Sequence, residues 1–159
     1  MLIKRIIMML ITFILAICLS ILPLPNWANW LRPAWVTLVL CYWILTYPEY
    51  INVGIAWFLG LLLDALYGTV LGEHALALTI TAYFMVRMQR LLKHYPVWQQ
   101  GIFIVFCGFI YNFVLYVIQY AMGHGMNNWH FWISPLLSFI LWPFLYEVFK
   151  RVQFNFKIQ

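Results

Sequence analysis

The sequence predicts an all-α fold, a polytopic membrane helical bundle with about six transmembrane helices. Hydrophobic residues make up 66% of the chain and charged residues 8%, against about 45–50% and about 25% in soluble domains. Apolar runs of bilayer length alternate with short polar or proline-rich breaks, as helical spans do. The runs lack sustained alternation of polar and apolar residues, and an open sheet cannot satisfy its edges in lipid, so strands are not expected.

The 159 residues leave room for one integral membrane domain and for no soluble catalytic module beside the spans. We therefore predict a single domain over residues 1–159. Its predicted spans cover residues 6–22, 33–47, 51–71, 75–86, 97–122 and 131–149.

Prolines and glycines set the predicted boundaries. The first span follows Lys4-Arg5 and ends at Pro23; no small-residue cleavage site follows it, so we interpret it as an uncleaved span rather than a signal peptide. The second begins at Pro33, a favourable first helical position, and stops before Pro48. The break at 72–74 separates the third span from the fourth.

The second, third and fourth spans are short for a full crossing. About fourteen residues at 1.5 Å per residue cover about 21 Å, less than the hydrocarbon core of about 30 Å. These segments are expected to tilt little, to thin the bilayer, or to end as buried partial helices.

The basic residues predict the orientation, because lysine and arginine gather on the cytoplasmic side. With six spans, Arg32 lies beside Pro33 in a periplasmic loop, and every other basic residue falls on the opposite side. Both termini are therefore expected in the cytoplasm. The net charge of +5 is explained by this bias and by anionic lipid, so no nucleic-acid partner is predicted.

One aspartate stands within an apolar run, in a ladder of glycines spaced four or eight residues apart: Gly60, Asp64, Gly68 and Gly72. Small residues at this spacing allow close helix packing, and a carboxylate in lipid costs about 2.5–3.5 kcal/mol unless it has a partner. We expect the glycines to form a stripe of close helix contacts. Packing between helices of this protein is favoured over docking of another protein. For Asp64 two interpretations stay open: contact with a partner's membrane helix or a buried polar network, and a carboxylate satisfied within its own bundle.

A second candidate site is the basic patch formed by Arg87, Arg90 and Lys93, which recur every third residue. It is predicted to lie at the cytoplasmic surface. Topology and lipid headgroups explain such a patch, and docking of a cytoplasmic filament or its partner is the alternative.

Catalytic and metal sites are not predicted. Glu73, His74, His124 and His130 lie on one predicted face, yet they form no HExxH motif and no histidine pair at i,i+4. We interpret the histidines as surface-loop residues. No cofactor, no metal and no enzymatic activity are expected.

Several segments together resemble the MreD family of proteobacterial rod-shape-determining membrane proteins. They are Arg32-Pro33-Ala34-Trp35-Val36, Tyr42-Trp43, Asn52-Val53-Gly54, the Gly60 to Gly72 ladder, Trp98-Gln99-Gln100 and Trp142-Pro143. The likeness covers nearly the whole chain. It implies a non-enzymatic inner-membrane component of the cell-elongation machinery, which acts on lateral peptidoglycan synthesis.

The resemblance also implies partners: MreC first, then RodA, its class B penicillin-binding protein and MreB. It implies a bundle similar to the substrate-binding subunits of energy-coupling-factor transporters. Fold likeness alone is weak support for function. The second function class is a small-molecule binding or transport subunit with an intramembrane site near Asp64, which the short second to fourth spans and this fold likeness suggest. The third is a membrane enzyme that acts on lipid or peptidoglycan precursor.

Overall fold

A computed structural model describes residues 2–27, 32–124 and 129–155. These residues form six α-helices and one short 3₁₀ turn, and they contain no β-strand. The helices are α1 (Leu2–Ile21), α2 (Trp35–Thr46), α3 (Val53–Tyr67), α4 (Glu73–Leu92), α5 (Val97–Ala121) and α6 (Ser134–Asn155), with the 3₁₀ turn at Trp129–Trp132. The predicted number and type of elements are confirmed.

Local signals explain where α3 begins and ends. Asn52 caps the first turn, because its side chain accepts hydrogen bonds from the backbone N–H groups of Gly54 at 3.1 Å and Ile55 at 3.3 Å. The helix ends where Gly68 adopts a left-handed conformation with φ of 65°. Glycine reaches this region without the steric cost that a Cβ brings.

Several helix boundaries differ from the predicted spans; the sixth helix, for example, ends at Asn155 rather than at residue 149. The third helix stops at Tyr67 rather than at residue 71, because the chain reverses at Gly68. The fourth extends from Glu73 to Leu92, beyond the predicted 75–86. Its 20 residues make it about 30 Å long, enough to match the hydrocarbon core. Helix α4 continues past the charged Arg87, whose guanidinium contacts the Tyr83 side chain one turn earlier in the same helix.

Membrane-length helices are fewer than the predicted spans. By length and composition, two helices among the described residues could cross a membrane, Ile3–Ile21 and Val97–Ala121. Two others, α2 and α3, are apolar but shorter, and charged side chains lower the hydropathy of α4 and α6. The six-span domain over residues 1–159 therefore stays a prediction.

Helix α2 forms the centre of the bundle. Every residue from Val36 to Leu45 is buried, as expected of a helix that is apolar all round. It packs against α1, α4, α5 and α6. The indole Nε1 of Trp43 donates to the hydroxyl of Thr12 at 2.8 Å, which fixes α1 on α2. The opposite face of α1 exposes large apolar side chains, including Leu10 and Ile14.

Candidate functional site

The turn between α3 and α4 is built on the backbone of Asp64 and two glycines. The carbonyl oxygen of Asp64 accepts from the N–H groups of Gly68 and, at 3.2 Å, Thr69. Gly72 precedes α4 with φ of 113°, a conformation that L side chains rarely adopt. The two glycines thus allow the chain to reverse within a few residues and bring the start of α4 against the end of α3.

The carboxylate of Asp64 caps the first turn of α4. It is fully buried. Its oxygens accept from the backbone N–H of Gly72 at 2.8 Å, His74 at 2.9 Å and Ala75 at 3.4 Å. The hydroxyl of Thr69 donates to it at 3.1 Å. The first N–H groups of a helix have no partner inside the helix and carry partial positive charge, so a buried anion is stabilised there.

His74 completes this network with its side chain. Its Nδ1 lies 2.8 Å from Oδ1 of Asp64. Since an ionised carboxylate can only accept, Nδ1 donates, and Nε2 is left for other contacts. The side chain is 11% exposed, and its ring lies beside Tyr67 and Tyr111, with ring centroids 5.2 Å and 6.2 Å away.

Gly60 brings the two helix backbones into contact one turn below. A Cβ placed on Gly60 would lie 2.2 Å from Cα of Ala75, 2.5 Å from its nitrogen and 2.7 Å from the carbonyl oxygen of His74. Only a residue without a side chain fits. We call the arrangement of Gly60, Asp64, His74 and Ala75 the α3–α4 junction.

The expected glycine stripe requires a correction. Gly60 lies in α3 against α4, but a Cβ added to Gly68 or Gly72 would have no atom within 4 Å. Both lie in the turn with positive φ. A contact stripe through all of these glycines requires a helix that continues to Gly72, and α3 ends at Tyr67. Gly68 and Gly72 therefore serve backbone conformation rather than close packing inside the described part of the chain.

The side chain of Asp64 is buried and hydrogen-bonded within its own chain, in a polar network. A contact of Asp64 with a partner's helix stays a prediction. The surface-loop interpretation of His74 is wrong, because His74 is buried in α4. His124 is exposed, and the side chain of His130 lies outside the described residues. Glu73 is buried, with Oε2 unpaired within the described ranges.

A cavity of about 500 Å³ lies next to the junction. It is bounded by the end of α1, the starts of α2, α4 and α6, the end of α3 and the later turns of α5. These helix ends lie on the predicted periplasmic side. The lining includes Arg32, Tyr67, His74, Tyr111 and Asn112. The amide of Asn112 donates to the carbonyl of Phe131 at 2.8 Å, which holds the segment before α6 over this side of the cavity.

Arg32 lies at the edge of the cavity and joins three segments. Its Nη1 donates to the carbonyl of Ser20 at 2.9 Å and its Nη2 to that of Leu22 at 2.7 Å, so it caps the end of α1. Its own carbonyl accepts from the hydroxyl of Ser134 at 2.9 Å. Pro33, which follows it, is buried before α2.

Replacing Arg32 by leucine is expected to loosen the end of α1, because the carbonyls of Ser20 and Leu22 lose charge-assisted donors. The expected cost in unfolding free energy is about 1–3 kcal/mol. Unfolding in detergent measures it, with Arg87→Leu as the control, since Arg87 is exposed. Equal unfolding free energies for the two variants would contradict a capping role for Arg32.

The basic patch lies at the far end of α4. Arg87 contacts the Tyr83 hydroxyl through Nη2 at 3.2 Å, and its guanidinium carbon is 5.6 Å from the ring centroid. Arg90 and Lys93 line a second cavity of about 350 Å³ together with Pro48, Glu49 and Gln89. All three basic side chains are exposed. Their docking role stays a prediction.

The described residues contain no group of three or more histidine, cysteine, aspartate or glutamate side chains that could hold a metal ion. The Asp64–His74 pair resembles the acid/base half of a catalytic arrangement. Its carboxylate, however, is engaged by the backbone of α4. What this arrangement does chemically is to join two helices and to orient the His74 ring at the cavity wall.

Comparisons with known proteins identify the family. A family model described as rod shape-determining protein MreD matches residues 2–152. The Rod shape-determining protein MreD of Haemophilus influenzae is 28% identical over 146 residues, which cover 92% of this chain and 90% of that protein. No solved structure matches. Because the family model covers nearly the whole sequence, the chain belongs to the MreD family of rod shape-determining proteins.

Proposed function

We propose that the chain is a non-enzymatic inner-membrane component of the cell-elongation machinery that assembles or regulates lateral peptidoglycan synthesis. The observation that carries the proposal is the family match over residues 2–152. The related protein from Haemophilus influenzae is named for rod shape determination. Within that general role, the proposal assigns the chain to lateral peptidoglycan synthesis.

The distribution of polar and apolar side chains supports a membrane location. Asp64 and His74 are turned inward and hydrogen-bonded, whereas large apolar side chains such as Leu10, Ile14 and Phe58 are exposed on the helix faces. Water disfavours such continuous apolar faces, and lipid tails or partner helices cover them. This pattern suits a bundle that contacts its partners within the bilayer.

Four partners follow from the family resemblance. MreC is the first, and RodA, its class B penicillin-binding protein and MreB complete the proposed complex. The exposed basic patch of Arg87, Arg90 and Lys93 is the surface we assign to the cytoplasmic side, where MreB or anionic lipid would meet it. The end of the bundle that carries Arg32 is assigned to the periplasm, where MreC would meet it.

Reporter fusions test the proposed topology of six spans with both termini in the cytoplasm. A fusion after His124 is expected to score as periplasmic and a fusion after Gln159 as cytoplasmic, because the basic residues favour that orientation. Alkaline phosphatase activity reports a periplasmic position, and green fluorescent protein fluorescence reports a cytoplasmic one. Fusions that score on the same side would overturn this topology.

Complementation tests the proposed function. In a rod-shaped bacterium depleted of its own MreD, expression of this chain together with its cognate MreC is expected to restore rod shape and lateral incorporation of fluorescent D-amino acids. An empty vector and MreC alone are the controls. Spherical cells with normal amounts of the chain in the membrane would contradict the proposal.

A small-molecule binding or transport subunit is the second candidate. The cavity of about 500 Å³ beside His74 favours it, since ligand pockets have volumes of about 300–1,000 Å³. The similarity of the bundle to energy-coupling-factor subunits stays a prediction. Purification in mild detergent separates the candidates: recovered wall-synthesis proteins support the first, and a bound small molecule supports the second.

A further inference from the structure

We propose that the cavity beside the α3–α4 junction binds the anionic phosphate headgroup of a membrane lipid. The proposal deepens the second candidate function and depends on the cavity rather than on the assembly role. Its basis is a set of hydrogen-bond donors that the bundle leaves unused at the cavity wall, with one uncompensated positive charge among them.

The charge at the cavity is positive. Arg32 is the one lysine, arginine, aspartate or glutamate among the described residues that line it. Its two Nη atoms donate to the carbonyl oxygens of Ser20 and Leu22, which are neutral, and its Nε has no hydrogen-bond partner among the described residues. An anionic oxygen in the cavity would pair with the guanidinium charge, because the carbonyl oxygens that Arg32 contacts carry no net charge.

Tyr111 supplies a second donor. It lines the cavity and is 8% exposed, yet its hydroxyl forms no hydrogen bond with any residue the structure describes. The carboxylate of Asp64 is engaged by the backbone of α4. Among the described residues the hydroxyl is not one of the fully buried unpaired side-chain atoms, so it reaches the open space of the cavity and can donate there. A ligand oxygen in the cavity would satisfy it.

The start of α2 faces the same cavity. Pro33, Ala34, Val36 and Thr37 line it, and Ala34 provides no side-chain cap for the first N–H groups of this helix. Their partial positive charge adds to that of Arg32. Asn112 contributes one more amide donor, since a side-chain amide carries two hydrogens and the structure gives one of its donations to Phe131.

The position of the cavity favours a lipid over a soluble anion. Leu63, Val36 and Leu115 form an apolar wall beside the donors. The cavity lies at one end of the helix bundle, at the depth where headgroups meet acyl chains if the helices span as proposed. A lipid would place its phosphate on Arg32 and Tyr111 and an acyl segment along that wall. Inorganic phosphate shares the headgroup chemistry and lacks the apolar part.

Thermal unfolding of the full chain in detergent tests the proposal. The probes are phosphatidylglycerol, zwitterionic phosphatidylcholine and inorganic phosphate, titrated into wild type, Tyr111→Phe and Tyr146→Phe. Tyr146 packs near Tyr42, with ring centroids 5.9 Å apart, and is not part of the cavity lining. Its variant removes the same hydroxyl group elsewhere and is the matched control.

We expect phosphatidylglycerol to raise the unfolding temperature saturably and phosphatidylcholine to raise it less. Tyr111→Phe is expected to weaken the phosphatidylglycerol affinity about tenfold, as loss of a hydrogen bond to a charged group does, and Tyr146→Phe by less than about twofold. Leu115→Trp, which fills part of the cavity, is expected to weaken it as well. The lipid-free unfolding temperature of each variant establishes that it is folded.

Equal effects of the two lipids, or equal affinities for the two tyrosine variants, would overturn the proposal. Inorganic phosphate that saturates the same Tyr111-dependent effect on its own would overturn the assignment to a lipid. The complementation experiment tests the assembly role independently. A chain that restores rod shape but shows no headgroup-dependent binding would contradict the lipid proposal and would leave the proposed function intact.

Discussion

Gly60→Ala is expected to meet the closest steric clash of any glycine-to-alanine change in the described chain and to destabilise the protein strongly. The new Cβ would lie 2.2 Å from Cα of Ala75, a backbone atom that cannot rotate away. The helices must separate, and the expected cost is about 3 kcal/mol, at the upper end for overpacking. In lipid no hydrophobic effect between helices offsets the lost dispersion contacts. Unfolding in mixed detergent micelles measures the cost.

Other glycines provide matched controls for this prediction. At Gly54 the nearest atom to an added Cβ is Oδ1 of Asn52 at 3.3 Å, a side-chain atom that can shift. At Gly101 the added Cβ meets the Phe139 ring at 3.1 Å. We expect Gly54→Ala to be nearly neutral and Gly101→Ala to be intermediate. Equal unfolding free energies for Gly60→Ala and Gly54→Ala would contradict the close contact between α3 and α4.

Asp64→Leu is expected to destabilise the protein at least as much. It leaves the first N–H groups of α4 and Nδ1 of His74 without an acceptor in a buried site. Removing one partner of a buried charged network costs about 3–5 kcal/mol. The protein itself should therefore decline in the membrane fraction, and rod shape should be lost with it. Immunoblotting of membranes beside cell-shape measurement records both.

Asp64→Asn is the conservative comparison. It keeps the shape and one acceptor oxygen, but its amide hydrogens would face the N–H groups of Gly72 and Ala75, which now contact Oδ2. We expect a loss smaller than that of leucine. A leucine variant that accumulates normally while MreC no longer co-purifies would show instead that Asp64 acts on a partner.

The helical class and the number of helices followed from the sequence for a simple physical reason. Membrane helices must be apolar over most of their length, so composition and proline breaks reveal them. The start of α2 after Pro33 and the end of α1 before Pro23 were predicted to within a few residues. Both boundaries lie at prolines, which fix φ and lack a backbone N–H, so the sequence indicates them directly.

The α3–α4 junction could not be predicted in the same way. Helix caps are normally recognised in the residue just before the helix, and there α4 has Gly72. The capping carboxylate comes from Asp64, eight residues upstream of Gly72 and in the preceding helix. The glycine spacing indicates the correct segment, but it predicts packing along a helix face rather than a turn between two helices. Positive φ at Gly68 and Gly72, rather than spacing, explains those two residues.

His74 was missed because its neighbours along the chain give no sign of burial. Glu73-His74 follows a glycine and resembles a polar loop in sequence. The sequence nevertheless contained a sign that His74 is buried. A lone carboxylate in lipid needs a hydrogen-bond donor, and His74, just before the predicted fourth span, is a candidate donor for Asp64. Tyr111 and Asn112 carried no signal, because the fold alone brings α5 to the cavity.

A double-mutant cycle on Asp64 and His74 tests the central claim, that these residues interact within the chain and hold α3 to α4. Unfolding free energies in mixed micelles are measured for wild type, Asp64→Leu, His74→Leu and the double variant. We expect a coupling energy of about 1–3 kcal/mol, as for residues in one buried network. Costs that add to within about 0.5 kcal/mol would show that the two side chains do not interact and would contradict the account.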